Sequence, residues 1–361
     1  MLYNIYDNFI NKIRKIMRNL KLKINAKSHD PLMTLEVKGL PIGWKIDKKL
    51  IENNLLKRRP SQEYNTKRIE KDDYEIIGIK DNLIAKKTIR INVYNNNIKK
   101  KDYPEGMIRP GHADYVGYQF FKDYNNQGGG PFSGRITVLF VILGSIIENN
   151  VDFRIYGKVK QVQDLIDTIA IKDLTITELL NEPNELNVYD NKIYNQIKER
   201  IKMYQEQKDS LGALCEFRVN NLKKHIGGIL FDSFEGALAQ NLFSIGGIKG
   251  INFGCYQDNY LLSGKEINDQ LFVENGIVKS KNNTNGGING GITNCYEDII
   301  FSCIIKPPSS IGIEQKTICK INEHYVNTKI KIEGRHDNFI ANRVMTVIKA
   351  MTYITIYDLS C

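Results

Sequence analysis

Tryptophan occurs once in this chain, at Trp44, and histidine only five times in 361 residues. Residue types used so sparingly are easy to follow, and three of the five histidines, His29, His112 and His336, stand beside Arg, Ser or Asp in loop-like sequence. The six cysteines, Cys215, Cys255, Cys295, Cys303, Cys319 and Cys361, include no pair with the two-residue spacing of a zinc or redox motif. They read as free thiols of a reducing compartment, and no metal site is expected. No long apolar run is present: residues 136–147 form a run of 12 interrupted by Gly144 and Ser145, against the roughly 20 that cross a bilayer. Residues 1–16 lack the continuous apolar stretch of a secretory signal. A soluble, cytoplasmic protein that does not engage membranes is expected. Acidic residues are the minority charge, 41 against 51 basic, leaving +10. That balance suits an anionic partner, but the lysines are mixed with Asn and Ile, as in residues 98–101 and 279–285. No nucleic-acid reading motif accompanies them, so no nucleic-acid partner is expected.

With 42% hydrophobic residues the chain can bury a large core. Residues 1–16 read as a short amphipathic extension, and residues 17–361 as the body of the protein. Alternating apolar positions over residues 20–37 give a strand, broken by the polar loop 26–31 that carries His29. Asp47 caps a helix that runs to Leu56 and ends in Lys57-Arg58-Arg59-Pro60. Cations there suit either the negative end of the helix dipole or a bound anion. Residues 74–79, 88–94, 151–162, 210–219 and 299–305 read as strands, and 192–207 as a charged peripheral helix. Residues 136–150 are apolar on nearly all sides and predict a helix buried between sheets. Residues 231–245 predict a helix opened by Asp232 with Glu235 three positions on, the capping-box spacing. A last helix runs to Asp358.

The most unusual chemistry lies in residues 109–135, RPGHADYVGYQFFKDYNNQGGGPFSGR. Arg109, His112 and Asp114 put a cation, an imidazole and a carboxylate into six positions, and Pro110 and Gly111 exclude a helix interior there. Gly128, Gly129 and Gly130 form a loop whose backbone can approach a ligand or simply turn. Ser133 and Arg135 follow at a helix start, where free N–H groups favour an anion. Gly246-Gly247 and the segment 285–292 repeat the glycine theme, and Lys306-Pro307-Pro308-Ser309-Ser310 ends a strand with a cation and two hydroxyls.

Taken in order, these loops resemble the chorismate synthase family. Its fingerprint is a Gly-Glu-Ser-His-Gly loop, an Arg-Arg-Pro helix end, Arg-Pro-Gly-His-Ala-Asp-Tyr, a Gly-Gly-Gly loop followed by Ser and Arg, Ser-Ile-x-x-Val-Lys-Gly, Gly-Gly-Ile-x-Gly-Gly-Ile, Lys-Pro-Thr-x-Ser and Gly-Arg-His-Asp. Residues 109–115 and 334–337 match intact, 244–250 and 286–292 match closely, and 306–310 differs at one position. The resemblance covers residue 17 to the C-terminus. It implies a single large α/β domain, a β-α-β sandwich with helices packed between sheets, assembled as a homotetramer. It implies conversion of 5-enolpyruvylshikimate 3-phosphate to chorismate by anti-1,4-elimination of phosphate, with reduced FMN and no net redox change. A separate NADPH-dependent flavin reductase is a further partner compatible with that chemistry.

By the same resemblance His29, His112 and Asp337 are catalytic. His29 is the general acid for the departing phosphate, His112 steadies the charge of the reduced flavin at its N1/C2-carbonyl side, and Asp337 helps manage the N5 proton as the C6 hydrogen leaves. Ser28, Arg58, Arg59, Arg109, Ser133, Arg135 and Arg335 bind substrate. Guanidinium groups meet the charge of a leaving phosphate with short, charge-assisted bonds. Phe132, Ser133, Gly246, Gly247, Gly290, Lys306, Pro307, Pro308, Ser309, Ser310 and Arg335 hold the cofactor.

The chain also departs from the pattern. Gly-Glu-Ser-His-Gly has become Ala26-Lys27-Ser28-His29-Asp30, Arg-Ser-Ser has become Pro131-Phe132-Ser133, and Thr-Gly-x-Pro reads Ala85-Lys86-Lys87-Thr88. The family's arginine soon after Arg-Arg-Pro is absent before Lys67 and Arg68. Weaker FMN or substrate affinity is the expected cost, about 1.5–3 kcal/mol per lost charged hydrogen bond. Activity is expected because every residue with a chemical role remains. The rival readings are a relative that binds flavin or a phosphorylated ligand without turnover, and a basic binding protein whose affinity would fall with salt.

Overall fold

Two antiparallel sheets enclose a layer of helices in a computed structural model that describes residues 19–27, 30–59, 72–95, 105–122, 124–254, 261–332 and 337–360. The proposed extension 1–16 lies outside the described residues. The first sheet is built from β1 (Lys21–Asn25), β2 (Leu32–Lys38), β3 (Asp73–Ile77) and β4 (Thr88–Tyr94), in the order β1-β2-β4-β3. Its strands alternate as the sequence does. Met33, Leu35 and Val37 of β2 face inward with Ile89, Ile91 and Val93 of β4, while Thr34 and Glu36 point away. The second sheet holds β5 (Arg154–Val162), β6 (Ala213–Asn220), β7 (Ile248–Phe253) and β10 (Ile299–Ile305), ordered β7-β10-β6-β5 with the two-residue strand Leu165–Ile166 at its edge. Cys215, Phe217 and Val219 sit opposite Cys303, Phe301 and Ile299, all essentially sealed from solvent. Burying each such side chain contributes roughly 1.5–3 kcal/mol.

Between the sheets lie α1 (Lys48–Arg58), α3 (Thr137–Glu148), α6 (Phe234–Phe243) and α7 (Ala341–Leu359). α3 packs against β2 and β4 of the first sheet, and α7 against β5 and β6 of the second. α3 is the buried helix the sequence predicted, with seven side chains from Val138 to Ile147 at 1% exposure or less. It meets α7 so closely that a Cβ at Gly144 would fall 2.6 Å from Ala350 Cα and Cβ. α7 tolerates buried hydroxyls by returning them to its own backbone: Thr352 and Thr355 donate to the carbonyls of Ile348 and Met351 at 2.7 and 2.8 Å. After the short helix α4 (Ile176–Leu180), the charged helix α5 (Asn191–Glu206) buries only Ile197 and Ile201.

Three expectations are revised. Ser233, rather than Asp232, caps α6, its hydroxyl accepting from Gly236 N at 3.0 Å, because Asp232 is used up in the 3-10 turn Leu230–Asp232. The triple glycine lies within the 3-10 helix Gln127–Phe132 and not in an open loop, since successive turns there bond i to i+3 around Pro131. Two hairpins of four or more residues per strand were not anticipated: β8 (Leu271–Glu274) with β9 (Ile277–Ser280), and β11 (Gln315–Ile321) with β12 (His324–Ile330). The second of them positions the site. Ile108 N donates to Ile318 O at 3.1 Å and Thr317 Oγ1 bonds Ile108 O, fixing the backbone that enters Arg109.

Candidate active site

Arg109 leads into α2 (Asp114–Phe120), whose first residue is the hub of the local charges. Asp114 is fully buried and accepts from Arg109 Nε at 2.7 Å, Arg109 Nη2 at 2.8 Å, Arg109 N at 3.1 Å and Tyr124 Oη at 3.0 Å. His112 Nδ1 lies 2.8 Å from Asp114 Oδ1 and 3.1 Å from Arg109 Nη2. The ionised carboxylate can only accept, so Nδ1 carries the proton and donates to Asp114 Oδ1, which leaves Nε2 as the free ring nitrogen. Burial alone would raise the Asp114 carboxyl, but bonds from Arg109 and His112 outweigh it and hold the group well below the usual carboxylate range. The Tyr124 phenol is pushed up by its own burial and then by this anion. Arg109, expected as part of an anion clamp, is 4% exposed and spends its fork on Asp114.

Gly111 joins this loop to the next. Its carbonyl accepts from Ser309 Oγ at 2.8 Å and from Lys306 Nζ, and Ser309 Oγ and Lys306 Nζ are themselves 2.7 Å apart. Gly111 has φ +69°, which a side chain would strain. Burial, with the nearby Lys249 charge, lowers the affinity of Lys306 for its proton. Lys306 N also donates to Gly247 O at 2.9 Å, and Ser310 Oγ is 3.4 Å from Arg109 Nη1. Pro308 is anchored through its carbonyl by Ser210 Oγ at 2.7 Å.

Above this floor stand the small residues. A Cβ at Gly129 would lie 3.8 Å from His112 Nε2, one at Gly246 would lie 3.8 Å from Phe132 O, and one at Gly247 3.8 Å from Ile340 Cδ1. The Phe132 ring is 37% exposed and leans on Phe121 and Tyr124, with centroids 6.0 Å from each. Ser133 caps the turn Gly134–Ile136, its hydroxyl accepting from Arg135 N at 3.4 Å, which sets Arg135 just ahead of α3. Open glycines, an apolar ring face, hydroxyls and an ammonium group are a donor set that suits a flat, phosphorylated cofactor such as FMN.

A third group of charges is tied to this frame through residues 210–211. Arg58 and Arg59 end α1 and share Asp72, at 3.0 and 3.2 Å. Arg343 Nε donates to Arg58 O at 3.0 Å, and its Nη1 to Asp337 Oδ2 at 2.8 Å. The segment after Asp337 is pinned to the residues that lead into β6, among them Ser210, with Leu211 N donating to Asn338 O at 2.8 Å. Gly290 turns the hairpin Ile288–Asn289 with Ile292–Thr293, which is held by Phe234 N donating to Gly291 O at 2.8 Å and by Thr293 N donating to Ile226 O at 3.0 Å. Ser28, His29 and Arg335 lie outside the described residues.

Sequence reasoning gave no role to Asp114, Tyr124, Asp72 or Arg343. Asp114 had a signal, its place two residues after His112. Asp72 and Arg343 had none, because their partners are distant in sequence or on another element. Among the described residues no three His, Cys, Asp or Glu side chains group as metal ligands, and no helix is long and apolar enough to cross a membrane.

The family model for chorismate synthase matches residues 20–361. The chain belongs to the chorismate synthase family. Its relatives include the chorismate synthase of Methanosphaera stadtmanae, 31% identical with 92% of each chain covered, and that of Methanocaldococcus jannaschii, 32% identical with 94% of each covered. The Synechocystis chorismate synthase is 32% identical, with 92% of this chain and 93% of that one covered. A crystal structure of chorismate synthase superposes with a TM-score of 0.71 at 20% identity, covering 95% of this chain and 92% of the other, and so supports the α/β sandwich. As a chorismate synthase family member the chain is an enzyme, a lyase of aromatic biosynthesis.

Proposed function

We propose that this chain eliminates phosphate from 5-enolpyruvylshikimate 3-phosphate to form chorismate, with reduced FMN held by the glycine-rich loops and residues 306–310. The observation that carries the proposal is the meeting of Lys306 and Ser309 at the carbonyl of Gly111, one residue from the His112–Asp114–Arg109 cluster. Two segments nearly two hundred residues apart thereby present an ammonium, hydroxyls and an imidazole to one space.

Arg58, Arg59 and Arg135 meet the anionic groups of the substrate, and the departing phosphate is stabilised as its charge grows. His29, with Ser28 beside it, gives that phosphate a proton; Arg335 completes the anion contacts. The roles of these last three rest on the resemblance alone. When bound, reduced FMN supplies electron density during phosphate loss and recovers it. His112 holds a proton on Nδ1 through Asp114 and offers Nε2 to the ligand. Asp337 takes part in moving the proton lost from the substrate, its carboxylate oriented by Arg343. Arg109 acts through Asp114 and supports His112. Gly246 and Gly247 border the cofactor space, with Pro307 and Pro308 stiffening its rim. Phe132 and Ser133 lie beside it, and by the resemblance Gly290 joins them and the enzyme assembles as a homotetramer. A reducing cytoplasm fits the free thiols of Cys215, Cys295, Cys303 and Cys319, and a separate flavin reductase would supply reduced FMN there.

The test is an anaerobic assay of phosphate and chorismate with FMN reduced or oxidised. Turnover is expected only with reduced FMN, and equal rates with the oxidised form would sink the reading.

A further inference from the structure

Arg343 lies in the first turn of α7, where a cation faces the positive end of the helix dipole, an arrangement that is unfavourable by itself. Two bonds to other elements offset it. Nε donates to the carbonyl of Arg58 at 3.0 Å, and Nη1 to Asp337 Oδ2 at 2.8 Å. Arg58 is the last residue of α1, so its carbonyl lies at the negative end of that helix and needs a donor from outside. Arg343 and Asp337 are 21% and 29% exposed, so the pair is largely shielded from screening by solvent. Arg58 and Arg59 are held from their other side by Asp72. The guanidinium plane therefore fixes the position of a carboxylate on one element relative to the arginine pair that ends another. A lysine, with a single nitrogen on a flexible stem, could reach one partner and not both.

We propose that Arg343 is a positioning residue: it holds the Asp337 carboxylate in fixed relation to the Arg58–Arg59 helix end, keeping the group that handles the proton in register with those that meet the phosphate. This rests on the function proposed above. A side chain that only braced the fold would lower stability and leave the turnover of folded enzyme intact. Misplacement of a reacting group by about 1 Å can cost about a hundredfold in rate, so a positioning role predicts a loss in kcat.

The experiment compares R343Q, R343K, D337N and R343Q/D337N in the full chain, each with reduced FMN. For R343Q, kcat should fall roughly 10- to 100-fold, while KM for the phosphorylated substrate and the affinity for oxidised FMN stay within about threefold. R343K should recover the rate only in part. In the D337N background, R343Q should cost little more, because the two side chains act as one unit. Wild-type kcat in R343Q, or a loss that multiplies in full upon that of D337N, would overturn the proposal. If R343Q does not fold, R343K against D337N makes the same comparison. Urea unfolding of the four variants gives a readout without turnover: non-additive midpoint losses support the contact, and additive ones overturn it. A wild type that makes no chorismate would instead condemn the proposed reaction.

Discussion

Asp114 Oδ1 lies 2.8 Å from His112 Nδ1, within a carboxylate that Arg109 grips with both Nε and Nη2. The contact selects the Nδ1–H form of the imidazole, and the ion pair with Arg109 keeps the carboxylate from turning away. Replacing Asp114 by Asn lets an amide N–H face Nδ1 and favours the other tautomer. D114N should therefore bind reduced FMN more weakly, with a smaller change for oxidised FMN. Paired titrations check this, and equal weakening of both forms would count against a tautomer role.

The two motif histidines should fail differently. His29→Ala removes the proposed acid, so single-turnover rates should drop by roughly 10²–10⁴-fold with FMN affinity little changed. His112→Ala should mainly disturb the reduced flavin, weakening it more than the oxidised form. Full turnover without His29, or flavin affinities identical in both variants and wild type, would reverse these assignments.

Asp114 also sets a pH dependence of stability. Its folded-state pKa lies below the unfolded value near 3.9. Its contribution is therefore complete above about pH 4 and is lost progressively as pH falls from there through the lower folded value. At pH 7, D114N leaves Arg109 buried without its anion and should cost about 3–5 kcal/mol. Urea midpoints of wild type and D114N should converge as pH drops below about 4, and a gap that stays constant down to pH 2 would refute the linkage.

Gly144 marks the closest approach of α3 and α7. Alanine in place of a helical glycine normally gains up to about 1 kcal/mol, but here the new Cβ meets Ala350 Cα and Cβ at 2.6 Å, backbone included. Overpacking of this kind costs about 1–3 kcal/mol, so G144A should lower the melting temperature and G144V should lower it further. A stabilised G144A would show that the helices can separate at no cost.

Lys158 and Asp167 form an ion pair with both side chains fully buried, at 2.7 Å. Such pairs can often be replaced by apolar residues without loss. Asp167 also accepts from Ile169 N at 3.1 Å and Tyr189 N at 2.8 Å. K158M/D167L would leave both N–H groups unpaired, at about 1–3 kcal/mol each. The double variant should therefore remain clearly less stable than wild type in urea unfolding, and a neutral result would show that water reaches those amides.

The sequence alone determined the strands of the two main sheets, the buried helix and the identity of the loops, but not the hairpins outside those sheets. Alternation in β2 and β4 and the unbroken apolar surface of α3 can each satisfy their hydrophobic demands in only one way, whatever lies around them. The motifs at residues 109–115 and 306–310 are short runs whose order survives in the chain itself. The cap of α6 was misplaced by one residue because Asp232 and Ser233 are both good caps, and the turn before the helix makes the choice. Only the tertiary structure decided that Arg109 pairs inward with Asp114, that Lys306 reaches Gly111, and that Arg343 ties Asp337 to Arg58. A buried charge takes whichever partner the packing brings within about 3 Å. Separations of 195 residues for Lys306 and Gly111, and 285 for Arg343 and Arg58, leave no periodicity from which such partners could be read.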